Sequence, residues 1–147
     1  MLFKSMTDDE KVLFGQVCKL KTYKSGDFIV KEGEPGDTLI IIRHGKAEVR
    51  KGIGGSNYKF LKELVDEDFC GDMSYLHKEP RNASVVAIEP CEVLELNSSA
   101  LDKLIVEYPE IGMKFYKNMA TEIAARLKKN NDELKKVSYL ILHSLEE

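Results

Sequence analysis

Gly71-Asp72-Met73-Ser74-Tyr75-Leu76, followed by Pro80-Arg81-Asn82-Ala83-Ser84-Val85, is the stretch on which the reading of this chain turns. A glycine opening a short helical turn leaves backbone N–H groups free to face an anion. Arg81 adds a forked, permanently charged donor to the same point. Asp72 offers an acceptor to a hydroxyl group, or alternatively an N-cap for the short helix. Arg81 follows a proline and precedes the small or apolar Ala83, Val85 and Ala87, so it is expected at the start of a strand. A charge there is costly unless it is met, either by an internal carboxylate or by a bound phosphate.

Outward from this stretch, residues 22–97 read as a roll. The β-branched and aromatic runs are short, and they are punctuated by Gly26-Asp27, Gly33, Pro35-Gly36, Gly45, Gly54-Gly55, Pro80 and Pro90. That spacing predicts a mainly β fold, an antiparallel β-roll or jelly-roll of about eight strands. Gly52-Ile53-Gly54-Gly55-Ser56-Asn57 separates two strand-like runs and is expected to be a flexible hairpin turn. Thr7-Asp8-Asp9-Glu10 carries a cap residue with a glutamate three positions on, so a short N-terminal helix is expected over 7–20.

After Asn97-Ser98-Ser99 the period becomes helical, giving C-terminal helices over 98–141 with a break at Pro109. Tyr116, Ala120, Ile123, Leu127, Asn130, Leu134, Val137 and Ile141 follow at alternating steps of four and three. These are the d and a positions of a heptad seam, and such a seam calls for a partner helix. The long helix is therefore expected to dimerise the chain.

Composition narrows the function. A chain of 147 residues that is 43% hydrophobic is expected to form one domain, 1–147. Its 22 basic and 25 acidic residues leave a net charge of −3, which disfavours a nucleic-acid ligand. No run approaches the roughly 20 apolar residues of a membrane span, and the start has no signal-peptide layout. A cytoplasmic protein without membrane contact is the expectation. Cys18, Cys70 and Cys91 lack metal spacing and fit reduced core thiols. His44, His77 and His143 are far apart, and no catalytic constellation can be argued, so neither a metal site nor an enzyme is expected.

Cys70-Gly71-Asp72 with Arg81-Asn82-Ala83-Ser84-Val85 resembles the phosphate-binding cassette of the cyclic nucleotide-binding domain family. Two further stretches resemble that family in the right order: the glycine-marked hairpin from Ser25 to Ile42, and the strand Gly45-Lys46-Ala47-Glu48-Val49. The resemblance implies that Arg81 and the N–H groups near Met73 and Ser74 hold the cyclic phosphate. Asp72 stands where the family usually has glutamate on the ribose 2′-hydroxyl, and it is one methylene shorter. Asn82 and Ala83 would complete the phosphate arm, and Asn82 leaves the base open. In relatives of the bacterial catabolite activator type a polar pair on the long helix touches adenine, which implies the same for Asn130 and Asn131; register setting is the alternative. The ligand expected is cyclic AMP (cAMP), with cyclic GMP (cGMP) as the other candidate, and no further cofactor. The ten residues after Val137 are too few for a helix-turn-helix, so a sensor domain is expected to signal through its helix to an unknown output partner, as a parallel homodimer. The competing expectation is a degenerate module of the same fold that has lost its ligand and only dimerises or binds a partner.

Overall fold

Leu39-Ile40-Ile41-Ile42 is apolar at every residue rather than at alternate ones, a pattern that suits a strand covered on both faces. The computed structural model describes residues 1–146, with side chains through Ser144, and places this run in β3 (Thr38–His44) with none of the four more than 1% exposed. Leu39 and Ile41 enter a core shared with the helices, whereas Ile40 and Ile42 enter the core between two sheets.

The remaining elements are α1 (Asp8–Val17), β1 (Lys19–Tyr23), β2 (Phe28–Val30), β4 (Ala47–Gly54), β5 (Asn57–Leu64), β6 (Phe69–Cys70), α2 (Asp72–His77), β7 (Ser84–Ala87), β8 (Cys91–Asn97), α3 (Ser98–Glu107) and α4 (Pro109–Glu146). The eight strands pair antiparallel in two four-stranded sheets, β1-β8-β3-β6 and β2-β7-β4-β5. This is the expected β-roll.

Boundaries differ from the sequence reading in three places. The Thr7 hydroxyl accepts from the Glu10 N–H and the Glu10 carboxylate accepts from the Thr7 N–H, so the capping box starts α1 as expected. The helix ends at Val17, however, because Lys19–Tyr23 pairs along Glu95–Cys91 of β8, and the roll therefore begins at 19 rather than 22. Gly52 and Gly54 lie in β4, paired with Tyr58 and Asn57, which contracts the expected six-residue turn to its Gly55-Ser56 tip. Arg81 precedes β7 rather than opening it, since that strand starts at Ser84.

Asn97 caps α3 by accepting from the Ser99 N–H, and Pro109 opens α4, where its missing N–H costs nothing. The first half of α4 is anchored by Ile111, Phe115 and Met119, with the Phe115 ring 5.0 Å from that of Phe14. Lys114 pairs with Glu10 at 2.6 Å, tying α4 to α1. Beyond Met119 no α4 side chain through Ser144 is buried. The expected seam therefore divides. Tyr116 and Ile123 pack on the chain's own core, whereas Leu127, Leu134, Val137 and Ile141 are 60%, 66%, 50% and 56% exposed. No helix among the described residues is long and apolar enough to cross a membrane.

Candidate functional site

The arm that carries Arg81 is pinned by its backbone. The Arg81 N–H donates to the Glu34 carbonyl at 2.9 Å, and the Gly33 N–H donates to the Arg81 carbonyl at 2.8 Å. The side chain turns inward, and the residue is 9% exposed. Its Nη1 donates to the Thr38 carbonyl and its Nη2 to Thr38 Oγ1, both at 2.8 Å. Two glycines make room for the guanidinium: a Cβ at Gly36 would fall on Nε, and one at Gly71 would stand 2.6 Å from Nη1. No carboxylate among the described residues pairs with it. Among the described residues no internal acid accounts for the buried arginine, and three of its five guanidinium N–H donors make no hydrogen bond.

Gly71 is the N-cap of α2 at φ 79°, a left-handed conformation that glycine adopts without strain. The cap corrects one expectation: Asp72 is the first helical residue, not the cap, and no side chain caps this helix. The Tyr75 N–H is the first to bond back, to the Gly71 carbonyl, so the N–H groups of Asp72, Met73 and Ser74 have no intrahelical acceptor. A helix start carries partial positive charge. Here it adjoins a buried guanidinium, and two positive groups at one point call for an anion.

The Asp72 carboxylate faces α4, where Arg126 Nη1 lies 3.6 Å from its Oδ1. Arg126 also donates to the Phe69 carbonyl at 2.9 Å and stacks 4.1 Å from the centre of the Phe69 ring. A second tie joins the same two elements, because the hydroxyls of Tyr75 on α2 and Tyr116 on α4 are 2.7 Å apart. Burial, then that hydrogen bond, push the Tyr75 phenol up, so it stays a neutral donor or acceptor.

Gly71, Asp72, Asn82, Ala83 and Arg126 line one hollow of about 350 Å³, which Val49, Lys51, Leu61, Lys62, Phe69 and Cys70 complete. Burial pushes the Cys70 thiol up to about 12, so it contributes no charge to the hollow. Lys51 Nζ donates to the Asn82 carbonyl at 2.5 Å and holds the phosphate arm against β4. Larger hollows run along the bare α4 surface at Tyr139 and Leu140, between α1 and the β1-β8-β3-β6 sheet, and between the first residues and α4, but none of them is lined by Gly71, Asp72 or Arg81.

Of the residues singled out in the sequence, Gly71, Asp72, Arg81, Asn82 and Ala83 are brought together; Ser74 is buried and Met73 is 41% exposed. Asn130 and Asn131 are exposed on α4 and do not line the hollow of their own chain. Arg126, one turn earlier, reaches it instead. The sequence reading missed Arg126, Lys62 and the Tyr75–Tyr116 pair. A usable signal for Arg126 was present, since Met119, Ile123 and Arg126 follow at helical steps on the side of α4 that meets the core. No group of three or more metal-ligating side chains occurs among the described residues.

Comparison with known proteins gives a consistent result. The profile described as the cyclic nucleotide-binding domain matches residues 20–108. The cGMP-dependent protein kinase of Toxoplasma gondii is 33% identical over 103 residues, 70% of this chain and 10% of that protein. The cAMP-dependent protein kinase regulatory subunit of Colletotrichum orbiculare is 30% identical over 104 residues, 71% of this chain and 26% of that protein. The crystal structure of the Thermus thermophilus catabolite activator protein superimposes with a TM-score of 0.81 at 28% identity, covering 93% of this chain and 62% of that one. The chain thus spans a tenth to a quarter of the two kinase-related proteins it matches.

Proposed function

We propose that this chain, which belongs to the cyclic nucleotide-binding domain family, is a non-catalytic receptor for a cyclic nucleotide that reports occupancy through α4. The observation that carries this reading is Arg81: a guanidinium 9% exposed, without a carboxylate partner among the described residues, set between two glycines at the start of α2. A cyclic phosphate supplies the missing negative charge and accepts from the open donors of Arg81 and from the Met73 and Ser74 N–H groups. Asp72 accepts from the ribose 2′-hydroxyl. To do so it must share its carboxylate with Arg126 or release it, and that exchange couples the ligand to α4. The Tyr75–Tyr116 bond is a second route from α2 to α4. The response is a shift between two placements of α4, driven by the difference in ligand affinity between them.

The apolar strip from Leu127 to Ile141 supports pairing with a second copy in a parallel homodimer, which places the signal next to an output partner in the cytoplasm. The expectation of cyclic AMP rested on Asn130 and Asn131 meeting adenine. Within one chain they lie beyond the hollow, so this reading names a purine cyclic nucleotide and leaves the base to other contacts. One observation favours the alternative of a module that has lost its ligand: the short carboxylate of Asp72 is already engaged by Arg126.

Titration calorimetry separates the two. Cyclic AMP, cyclic GMP and linear 5′-AMP are titrated into the wild type and into Arg81→Ala. Saturable binding of a cyclic nucleotide by the wild type, lost in the variant and absent for 5′-AMP, is the expected result. No heat with either cyclic nucleotide, in a chain whose melting temperature also fails to rise, overturns it.

A further inference from the structure

β1 is the outer strand of its sheet, and four of its five residues are exposed. It pairs with β8 alone, and among the described residues no backbone hydrogen bond from another element reaches its other side. That side therefore offers a row of N–H and C=O groups to a further strand. Leu20 is registered with Leu94, which packs on the core shared with the helices, so Leu20 points to the α1 side of the sheet. Lys19 and Lys21 point to the opposite side, because successive side chains of a strand alternate.

On the α1 side a hollow of about 650 Å³ lies beside this edge, with Val12, Phe14, Leu20 and Leu94 among its walls. Val12 and Leu20 are 59% and 53% exposed, and the nucleotide reading uses neither. The charged lining is Lys11, Arg43 and Glu67. Arg43 is met by Glu92 at 3.3 Å, and on the other side of the strand Lys21 is met by Glu95 at 3.1 Å. Lys11 and Lys19 form no ion pair among the described residues.

A second copy adding its own β1 would bring Lys19 and Lys21 against the same two lysines, and like charges facing across strands destabilise the pair. The unmet lysines beside the edge favour a strand of opposite sign. An added strand keeps the pleat, so the residue beside Leu20 points over the hollow and its two neighbours point to the lysine side. The matching pattern is acidic, apolar, acidic.

We infer that the free edge of β1 and the hollow beside it form a docking surface for an extended acidic segment of another protein, which adds a strand there and seats an apolar side chain against Val12 and Leu20.

Fluorescence anisotropy on the full chain tests this with a short labelled peptide of alternating glutamate and valine. Two comparison peptides are used: one with lysine in place of glutamate, and one of the same composition with its glutamates gathered in one block. The alternating acidic peptide should bind saturably and at least about tenfold more tightly than either. Lys19→Glu should lower its affinity about tenfold and raise that of the basic peptide, an exchange that an unfolded variant does not show. Val12→Ser should weaken the acidic peptide without changing the charge preference. Equal binding of the acidic and basic peptides, equal binding of the alternating and block peptides, an unchanged affinity in Lys19→Glu, or no binding at all overturns the inference. Self-association lost in Leu20→Lys but kept in Leu127→Glu gives the edge to a second copy and overturns it too. This hollow shares no lining residue with the nucleotide hollow, so cyclic nucleotide binding by the same sample stands or falls separately.

Discussion

Replacing Arg81 by methionine should separate binding from stability, because the two depend on the guanidinium in opposite ways. Without ligand, Arg81 makes two hydrogen bonds to Thr38, and bonds from a charged donor contribute roughly 1.5–3 kcal/mol each. Against this stands the burial of an ion with no carboxylate partner among the described residues, which costs several kcal/mol even after relaxation. The two contributions are similar in size and opposite in sign, and methionine fills much of the same space between Gly36 and Gly71. The unliganded variant should stay within about 2 kcal/mol of the wild type, or roughly 8 °C in Tm for a chain of this size. Binding should suffer far more. Two lost charge-assisted bonds to phosphate, at roughly 3–6 kcal/mol together, lower affinity by a factor of about a hundred to ten thousand. Paired melts are the assay. Ligand at a hundred times its Kd adds about 2.7 kcal/mol to the wild type, and the same concentration should add at most about 0.4 kcal/mol to Arg81→Met. An equal ligand-induced rise in both proteins would refute the assignment of Arg81. A loss of stability well beyond 2 kcal/mol without ligand would refute the claim that its charge is unmet.

Asp72→Glu should preserve or improve affinity by restoring reach to the ribose, whereas Asp72→Ala should lower it by about 1–3 kcal/mol in calorimetry; an alanine variant that melts earlier yet binds normally would make the carboxylate a structural partner of Arg126 only. Leu127→Glu places an unpaired charge twice in a symmetric helix pair and should yield monomers by sedimentation, while a wild type that is itself monomeric at micromolar concentration refutes the pairing. The hydrogen bond from Lys114, followed by that from the Thr7 backbone, holds the Glu10 carboxyl below its ordinary range. A depressed carboxylate pKa stabilises the fold above the unfolded value of about 4.3 and loses that effect as the pH falls through the folded value. The Tm advantage of the wild type over Glu10→Gln, measured at neutral pH, should therefore disappear on acidification, and an advantage that persists in strong acid contradicts the linkage.

Features set by neighbours in the chain were legible before any coordinates. Thr7 and Glu10 are three residues apart and cap one turn, so their spacing alone showed the helix start. The cassette was legible for the same reason, with Gly71 and Arg81 joined by one short helix and one arm. What escaped were contacts across long sequence separations. Arg126 falls on the core side of its helix after Met119 and Ile123, but its partners Phe69 and Asp72 lie far off in sequence and are set only by packing. Lys62 carries no such signal in a strand that also has Lys59 and Glu63, because a register shift between Val49 and Arg50 alters how β5 lies along β4. The alternative of Asp72 as a cap fails because Gly71, at positive φ, occupies the cap position without offering a side chain. The sequence pattern also made a single seam of residues that the fold divides between Ile123, on its own core, and Leu127, on open surface.

The end of full burial at Met119 has a mechanical consequence. A helix whose last buried side chain is Met119, and which beyond it is held by the half-buried Ile123 and by the contacts of Glu122 and Arg126, behaves as a stiff lever with its fulcrum near Met119. At 1.5 Å per residue, Arg126 grips the arm about 10 Å from Met119, and the last described residue, Glu146, is about 40 Å away. The gain is therefore about four: a shift of about 1 Å where Arg126 trades one partner for another sweeps the far end through about 4 Å, close to the spacing of atoms in contact. On the proposed reading, an adjustment of about 1 Å at the hollow is thus enough to bring apolar side chains far along α4 into or out of register with a partner.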